Sequence, residues 1–238
     1  MYTSNFSAHK LTLFLKHIFY AGLFLTPVAH ASELELHTTP TLPADNPCSF
    51  SGDFTQSKTI AGLDQVLESS GSFYYHCEDG VIWSTHSPID ETLIFSRSNG
   101  NTKIKDQNVS KLKGRQSKLL GSLLNSMMSG NQTEIEEQFE LHSIKNVNNE
   151  FELLPKKKSL KRAIKQILLV FSQADEQDTN LQKINIQIKD RKNQLTSIAS
   201  SQTNIFNSNS STDQLRHAQC LTSNVTNLAC DQLYPPSE

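Results

Sequence analysis

The sequence predicts a mainly β domain of the α+β class, and three patterns support this prediction. Apolar and polar residues alternate in several segments of the first half, which is typical of strands with one buried face. Short turns join these segments, and Asn99-Gly100 is the strongest hairpin signal among them. A later leucine-rich stretch has helical spacing. Helices therefore follow an antiparallel meander.

The N-terminus has the features of a secretory signal peptide. Lys10 and Lys16 precede an apolar run at residues 18–28, and Ala29-His30-Ala31 supplies a small-x-small cleavage pattern. We expect cleavage after Ala31 and export to the periplasm. An uncleaved anchor is the alternative, but the apolar run is short of the roughly 20 residues that a membrane-spanning helix needs.

The predicted mature chain is long enough for a folded domain and carries a small negative net charge. Removing residues 1–31 from 238 leaves 207, enough for one domain with a core. The leader holds two of the 22 basic residues and none of the 24 acidic ones, so the mature net charge is 20 − 24, or −4. This balance gives no electrostatic reason to expect nucleic acid as a partner. We expect a monomer without a cofactor.

Four cysteines remain after cleavage, in a compartment that permits disulfides. Three pairings are open for Cys48, Cys77, Cys220 and Cys230. Local pairing would join Cys48 to Cys77 and Cys220 to Cys230. A zinc site is the alternative, but no Cys-x-x-Cys or His-x-x-x-His spacing supports it, and we predict no metal.

An extended lead-in at residues 32–49, with three prolines, precedes a meander of strands from Phe50 to about Asp106. Two of these strands flank a turn at residues 78–80. The residues that period two places on one face are Phe73, Tyr75 and Cys77 before the turn and Val81, Trp83 and Thr85 after it. Residues 91–98 and 102–106 form two more strands around Asn99-Gly100.

The spacing then becomes helical. Its apolar positions are Leu112, Leu119, Leu120, Leu123, Leu124, Met127 and Met128. Gly130 is well placed to end this helix, and Thr133 with Glu136 fits a capping box for a short second helix.

Strands resume after the helices. The predicted segments are 139–145, 150–154, 164–171, 181–189 and 195–201, with a basic helical insertion at 156–162. Ile184, Ile186 and Ile188 alternate with polar residues, so that strand has one apolar face. Residues 207–238 are rich in Ser, Asn and Thr, and we expect a flexible tail with little to pack and a small loop between its two cysteines.

These residues, in this order, resemble the LolA-like outer-membrane lipoprotein carriers, especially their divergent branch. The matching residues are Phe54-Thr55-Gln56, Lys58, Gly71, Trp83 and Pro88, then the leucine-rich helix, Phe139 and Phe151-Glu152-Leu153-Leu154-Pro155. The likeness covers about residues 50–206. It implies a curved, unclosed antiparallel half-barrel with a short helical lid over its concave apolar face. Members of this family ferry acylated molecules across the periplasm.

One position departs from the family pattern. Counting from Gly71 to Trp83, Cys77-Glu78 stands where the lipoprotein carriers have a lid-locking arginine followed by proline. The resemblance therefore leaves a lipid, a glycolipid or another acylated product open as the cargo.

We expect a hydrophobic cavity and no catalytic site. The predicted cavity lining is Phe54, Phe73, Tyr75, Val81, Trp83, Leu93 and Phe95, and the predicted lid is Leu120, Leu123, Leu124, Met127 and Met128. An ordinary packed core is the alternative for all of these residues. No Gly-x-Ser-x-Gly elbow, His-Glu-x-x-His motif or phosphate loop is present, so an enzyme is not predicted.

The leading hypothesis is a periplasmic carrier of a lipid or acylated cargo, with an inner-membrane exporter and an outer-membrane acceptor as partners. One alternative is a lipid sensor whose Cys220–Cys230 tail contacts a protein. Another is a cavity enzyme that uses His76 or Glu78 at the cavity mouth. The basic stretches 111–118 and 156–162 are either solvated surfaces or docking patches for an anionic membrane or an exporter.

Overall fold

The alternating segments form one antiparallel sheet whose two faces are covered by different helices. The computed structural model describes residues 40–42, 47–60, 62, 65–144, 149–173, 182–206 and 212–235. The predicted signal peptide and most of the lead-in lie outside these residues. None of the described helices is both long and apolar enough to span a bilayer.

The described strands and helices follow the chain in a simple order. The strands are β1 Ser49–Thr59, β2 Val66–His76, β3 Gly80–Ser87, β4 Glu91–Ser96, β5 Asn101–Lys105, β6 Asn108–Lys111, β7 Phe139–Ser143, β8 Glu150–Pro155, β9 Ile164–Gln173, β10 Gln182–Asp190 and β11 Leu195–Ile205. The helices are α1 Arg115–Ser129, α2 Gln132–Glu136, α3 Lys158–Ala163, α4 Asp213–Leu221 and α5 Asn227–Leu233.

Two meanders share this sheet. The strand order is β6-β5-β4-β3-β2-β1-β11-β10-β9-β8-β7, so β1 pairs with β11 at the junction, while β6 and β7 are the edges. The sheet is not closed into a barrel. The predicted mainly β, half-barrel fold class is confirmed.

Residue alternation assigns each strand an inner and an outer face. On β2, Phe73 and Tyr75 belong to one buried cluster, whereas Tyr74 between them belongs to another. Helices α1, α2 and α3 each contribute buried side chains to the first cluster, and α4 and α5 contribute to the second. We call the first face the inner face and the second the outer face.

The helix boundaries confirm one predicted signal and correct another. Gly130 ends α1 in the left-handed conformation, with φ 63°. The predicted capping box at Thr133 and Glu136 is wrong, because α2 begins two residues earlier. Asn131 is the N-cap, and its side chain accepts a hydrogen bond from the Glu134 amide. An extended Asn directly after a left-handed Gly starts the second helix as soon as the first has ended.

The expectation of a tail with little to pack is wrong for residues 212–235. This segment forms α4 and α5, which cover the outer face, and we call it the C-terminal cap. Its buried side chains include Cys220, Cys230, Leu233 and Tyr234, which pack with Tyr74, Ile82, Ile94 and Ile104 of the sheet. The few apolar residues of this polar segment are spaced so that they face the sheet together, which its composition does not reveal.

Both disulfides follow the local pairing. Cys48 is joined to Cys77 and Cys220 to Cys230. The first ties the residue before β1 to the turn after β2. The second ties α4 to α5 and is fully buried, so it holds the cap together. Closing loops of these lengths contributes about 3 kcal/mol each in the chain-entropy model.

A charged cluster fixes the cap to the β2–β3 turn. Arg216 of α4 donates to Glu78 at 2.7 Å and to Asp79 at 3.1 Å, and His76 lies 2.7 Å from Asp79. Burial alone would raise the pKa of Asp79, but the hydrogen bond to His76 and the Arg216 charge hold it below its ordinary value. The cluster therefore favours an ionised carboxylate beneath the cap.

Replacing Leu233 by Ala tests whether the cap is part of the folded core. Leu233 is 4% exposed, whereas Leu215 on α4 is 53% exposed. Leu233→Ala should lower the free energy of unfolding by about 2–5 kcal/mol, and Leu215→Ala by less than about 0.5 kcal/mol, in urea titrations. Equal, small losses for both variants would show that the cap does not pack as described.

The tyrosine pair under the cap predicts a loss of stability in alkali. The Tyr74 and Tyr234 hydroxyls lie 3.2 Å apart, and burial raises the pKa of both. The unfolded chain releases these protons near pH 10 while the folded chain retains them. The free energy of unfolding should therefore be unaffected by this pair below about pH 10 and fall above it.

Tyr234→Phe removes one of these titrating groups. Its free energy of unfolding should fall less steeply than that of the wild type between pH 10 and 11.5, by up to about 1.4 kcal/mol per pH unit. Urea titrations at several pH values measure both slopes. Parallel curves for the two proteins would contradict the prediction.

Candidate functional site

The inner face carries a stack of aromatic rings around Trp83. Phe54 lies over Trp83 with ring centroids 3.9 Å apart, and Phe73 lies 5.9 Å from it on neighbouring β2. Gly71 is the cross-strand neighbour of Phe54, and a Cβ there would meet the Phe54 ring at 2.9 Å. The missing side chain at Gly71 thus lets Phe54 reach Trp83. Each such aromatic pair adds about 0.5–1.5 kcal/mol beyond burial.

The structure brings the predicted cavity residues together on this face. Phe54, Phe73, Tyr75, Val81, Trp83 and Phe95 are buried members of the inner cluster, and Leu93 is half-buried against it. Sequence reasoning missed Phe50, which contacts both Phe73 and Tyr75. Phe50 lies four residues before Phe54 on β1, so period-two alternation places both side chains on the same face of the strand. This spacing was the signal that could have identified Phe50.

The second half of α1 covers the aromatic rings. Leu123, Leu124, Met127 and Met128 are all buried in the inner cluster. Leu120, which is also predicted for the lid, lies on the same helix but its side chain is 41% exposed. Burial in α1 is continuous over residues 123–128, and Leu120 lies one turn before that stretch. Leu119 packs against the inner cluster while the next residue, Leu120, is exposed, so the apolar spacing alone does not show which side of the helix lies against the sheet.

Few polar contacts hold α1 to the sheet. The Asn125 side chain donates to the Phe95 carbonyl at 3.3 Å, and the Asn101 side chain donates to the Ser117 carbonyl at 2.9 Å. Gly121 approaches β4 closely, since a Cβ there would lie 2.9 Å from the Phe95 ring. The cover is therefore held mainly by apolar packing.

The neighbouring α2 is fastened at two places. The end of the lead-in reaches it, because the Leu42 amide donates to Gln132 at 3.2 Å and Leu42 itself is buried in the inner cluster. Arg97, just after β4, lies 3.5 Å from Glu134 of α2. Although Cys77-Glu78 replaces the arginine of the family pattern, an arginine from another strand contacts the helical cover.

The side chains of the inner face contact one another and the cover. Among the described residues, α1 itself occupies the space over the rings, so the predicted lining and the predicted lid form one continuous apolar cluster. An apolar ligand on this face would have to replace the contacts that α1 makes.

The residues considered for catalysis belong to the outer face or to its rim. His76 is 3% exposed and bound to Asp79, and Glu78 pairs with Arg216 of the cap. The structure therefore does not place these two residues at the mouth of the inner face. Cys48, His76 and Cys77 lie within metal-ligand reach of one another, but the two sulfurs are joined in a disulfide and are not thiolate ligands.

Ser72 and His86 form a serine–histidine pair, but the Ser72 hydroxyl is used in a contact with the C-terminal cap. Ser72 and His86 Nε2 lie 2.8 Å apart, and the Ser72 hydroxyl donates to the Asn224 carbonyl at 2.7 Å. Because its proton is directed at a backbone carbonyl, this hydroxyl anchors the loop between α4 and α5.

An unclosed antiparallel sheet with helices over its apolar inner face defines a half-barrel of the LolA-like kind. The chain belongs to the LolA family, because the family model described as "Outer membrane lipoprotein carrier protein LolA" matches residues 46–211. LolA-like proteins are periplasmic carriers. No curated protein matches the chain.

Two solved structures show low-level similarity. A LolA superfamily protein from Nitrosomonas europaea is 9% identical, with a TM-score of 0.37 over 70% of this chain and 90% of that one. A DUF1329 family protein from Desulfovibrio piger is 14% identical, with a TM-score of 0.33 over 71% of this chain and 89% of that one. The family assignment depends on the family model.

Gly121→Val tests whether close packing keeps α1 on the sheet. The added methyl groups would collide with Phe95 and push α1 away from β4, which should cost about 1–3 kcal/mol. Trp83 is the chain's single tryptophan and is 7% exposed, so acrylamide quenching of its fluorescence reports the cover directly. Quenching should increase in Gly121→Val.

Leu120→Val is the matched control, since it introduces the same side chain at an exposed position of the same helix. It should leave both quenching and stability close to wild type. Unchanged quenching in Gly121→Val would contradict the close contact between α1 and β4.

Proposed function

We propose that this protein is a periplasmic carrier that binds an acylated or lipid-like molecule on its inner face and moves it from the inner towards the outer membrane. It would act as a monomer, loaded by an inner-membrane exporter and unloaded by an outer-membrane acceptor. Membership of the LolA family supports the carrier role. The observation that carries the proposal is an aromatic inner face covered by helices, of which α1 contributes four buried apolar side chains.

The free energies of the covered and loaded states are comparable. Burying four Leu and Met side chains contributes about 6–12 kcal/mol, at about 1.5–3 kcal/mol each. An acyl chain of 14–16 carbons gains about 11–13 kcal/mol, at about 0.8 kcal/mol per methylene. A fatty chain that enters between α1 and the rings can therefore replace the contacts between them without a large net cost, and the exchange remains reversible.

The local features of α1 favour its displacement. Its N-cap, Gly114, makes no side-chain cap bond, the first turn has no acidic residue and the last turn has no basic one. The start of α1 therefore lacks the usual stabilisation of its free amide groups, whereas its end is closed by the hydrogen bond from the Gly130 amide to the Met127 carbonyl. Met127 and Met128 are flexible side chains that adapt to varied partners.

The cargo proposed is an acylated molecule in general. Lipoproteins, lipids and glycolipids all carry the acyl chain that the inner face would bind. Arg97 and Glu134 form an ion pair between the rim of the sheet and α2. The helical cover therefore has a polar contact with the sheet, but from a different position than the arginine of the family pattern.

Leu124→Asp tests the inner face as the binding surface. A carboxylate at this buried position would face the acyl chain, and burying it unpaired is costly. Native mass spectrometry of purified protein, together with Trp83 fluorescence on addition of lauric acid, should show bound acyl ligand in the wild type and its loss in Leu124→Asp.

Leu120→Asp is the control, because the same charge at the exposed position should leave ligand binding unchanged. Circular dichroism confirms that each variant is folded. A wild-type protein that never retains or binds an acyl ligand would end the carrier proposal, as would equal binding by Leu124→Asp.

A further inference from the structure

The two basic stretches of the sequence meet at one depression of the surface. A pocket of about 590 Å³ lies between α1 and α3, within the size range of small-molecule sites. Its lining residues are Lys118, Leu119, Ser122, Gln138, Lys157, Ser159, Arg162 and Ala163. We call this pocket the basic seam.

The basic seam has an excess of positive charge. Lys118, Lys157 and Arg162 contribute three cationic side chains, and its described lining contains no carboxylate. None of the three takes part in an ion pair within the described part of the chain. Three other depressions each include at least one acidic residue. The seam is thus a site where cations converge without a protein counter-ion.

The floor of the basic seam borders the inner face. Leu119 is half-buried against the inner cluster, and Leu160 of α3 is a fully buried member of it. Gln138 is 5% exposed and donates to the Ser122 hydroxyl at 2.9 Å, which links the start of β7 to α1. The pocket therefore lies at the gap between two covering helices, directly outside the apolar cluster.

We infer that the basic seam holds the anionic headgroup, a phosphate or a carboxylate, of an amphiphile whose acyl chain lies on the inner face. This inference rests on the proposed carrier function and narrows its cargo to anionic amphiphiles. Arg162 offers the planar, bidentate donor geometry that suits phosphate and carboxylate oxygens. Lys118 and Lys157 add mobile ammonium groups on alkyl stems that extend the apolar floor.

Calorimetric titration with three soluble probes tests the inference. Dodecyl phosphate and dodecyl maltoside carry the same chain with an anionic or a neutral headgroup, and both are used below their micelle concentrations. Inorganic phosphate supplies the anion without the chain. Wild-type protein should bind dodecyl phosphate about tenfold more tightly than dodecyl maltoside, a difference that three exposed charge contacts can supply. Inorganic phosphate should bind far more weakly than either.

The triple variant K118Q/K157Q/R162Q removes the seam's charge. It should bind dodecyl phosphate about tenfold more weakly than wild type and dodecyl maltoside within about twofold of it.

The variant K105Q/K183Q/K192Q removes the same net charge at three exposed lysines outside the basic seam. It should bind dodecyl phosphate within about twofold of wild type.

The possible results separate this inference from the carrier proposal. Equal wild-type affinity for the two amphiphiles, or equal weakening by the two triple variants, would overturn the headgroup site and leave a general acyl carrier. Inorganic phosphate binding as tightly as dodecyl phosphate would also overturn it, in favour of a free-anion site. If neither amphiphile binds the wild type, the carrier function itself fails.

Discussion

The pairing of β1 with β11 makes one sheet out of two meanders. Its ladder runs from Phe50 opposite Ile205 to Thr59 opposite Leu195, across roughly 150 residues of sequence. Closing such a long loop costs entropy that local hairpins do not pay, so this ladder has to be supported by burial on both sides. The inner cluster supplies much of that support, because it contains residues from both meanders.

In the proposed carrier, the inner face has to meet two requirements that usually conflict. A folded domain needs its apolar surface covered, whereas a carrier needs that surface available to a ligand. Both needs are met when the cover is a helix that contributes a few Leu and Met side chains, since an acyl chain has similar chemistry and buries a similar area. In this proposed exchange the aromatic stack on Trp83 would serve as a rigid floor, because its rings contact one another across neighbouring strands.

The outer face is stabilised independently of this exchange. The C-terminal cap packs on Tyr74, Ile82, Ile94 and Ile104, and the outer cluster shares no buried residue with the inner one. A buried disulfide, the Arg216 ion pairs and the tyrosine pair hold the cap in place. Movement of α1 would therefore leave the outer-face packing of β2, β3 and β4 against the cap in place.

Several features were predictable because each depends on neighbours along the chain. Period two separated Phe73 and Tyr75 from Tyr74, and Gly130 marked the end of α1. The Asn99-Gly100 segment lies in the turn between the paired strands β4 and β5. The family resemblance followed from the same short-range patterns and from the order of the motifs, whereas the local disulfide pairing was one of three that the sequence left open.

Tertiary structure alone decided which surfaces these elements cover. It buried Leu124 but exposed Leu120, folded a polar segment into the cap, and brought Lys118 beside Lys157 and Arg162. Each outcome depends on contacts between residues far apart in the chain, which the β1–β11 ladder places in register. Local patterns determine which way a side chain points, whereas burial depends on what the rest of the chain packs against it.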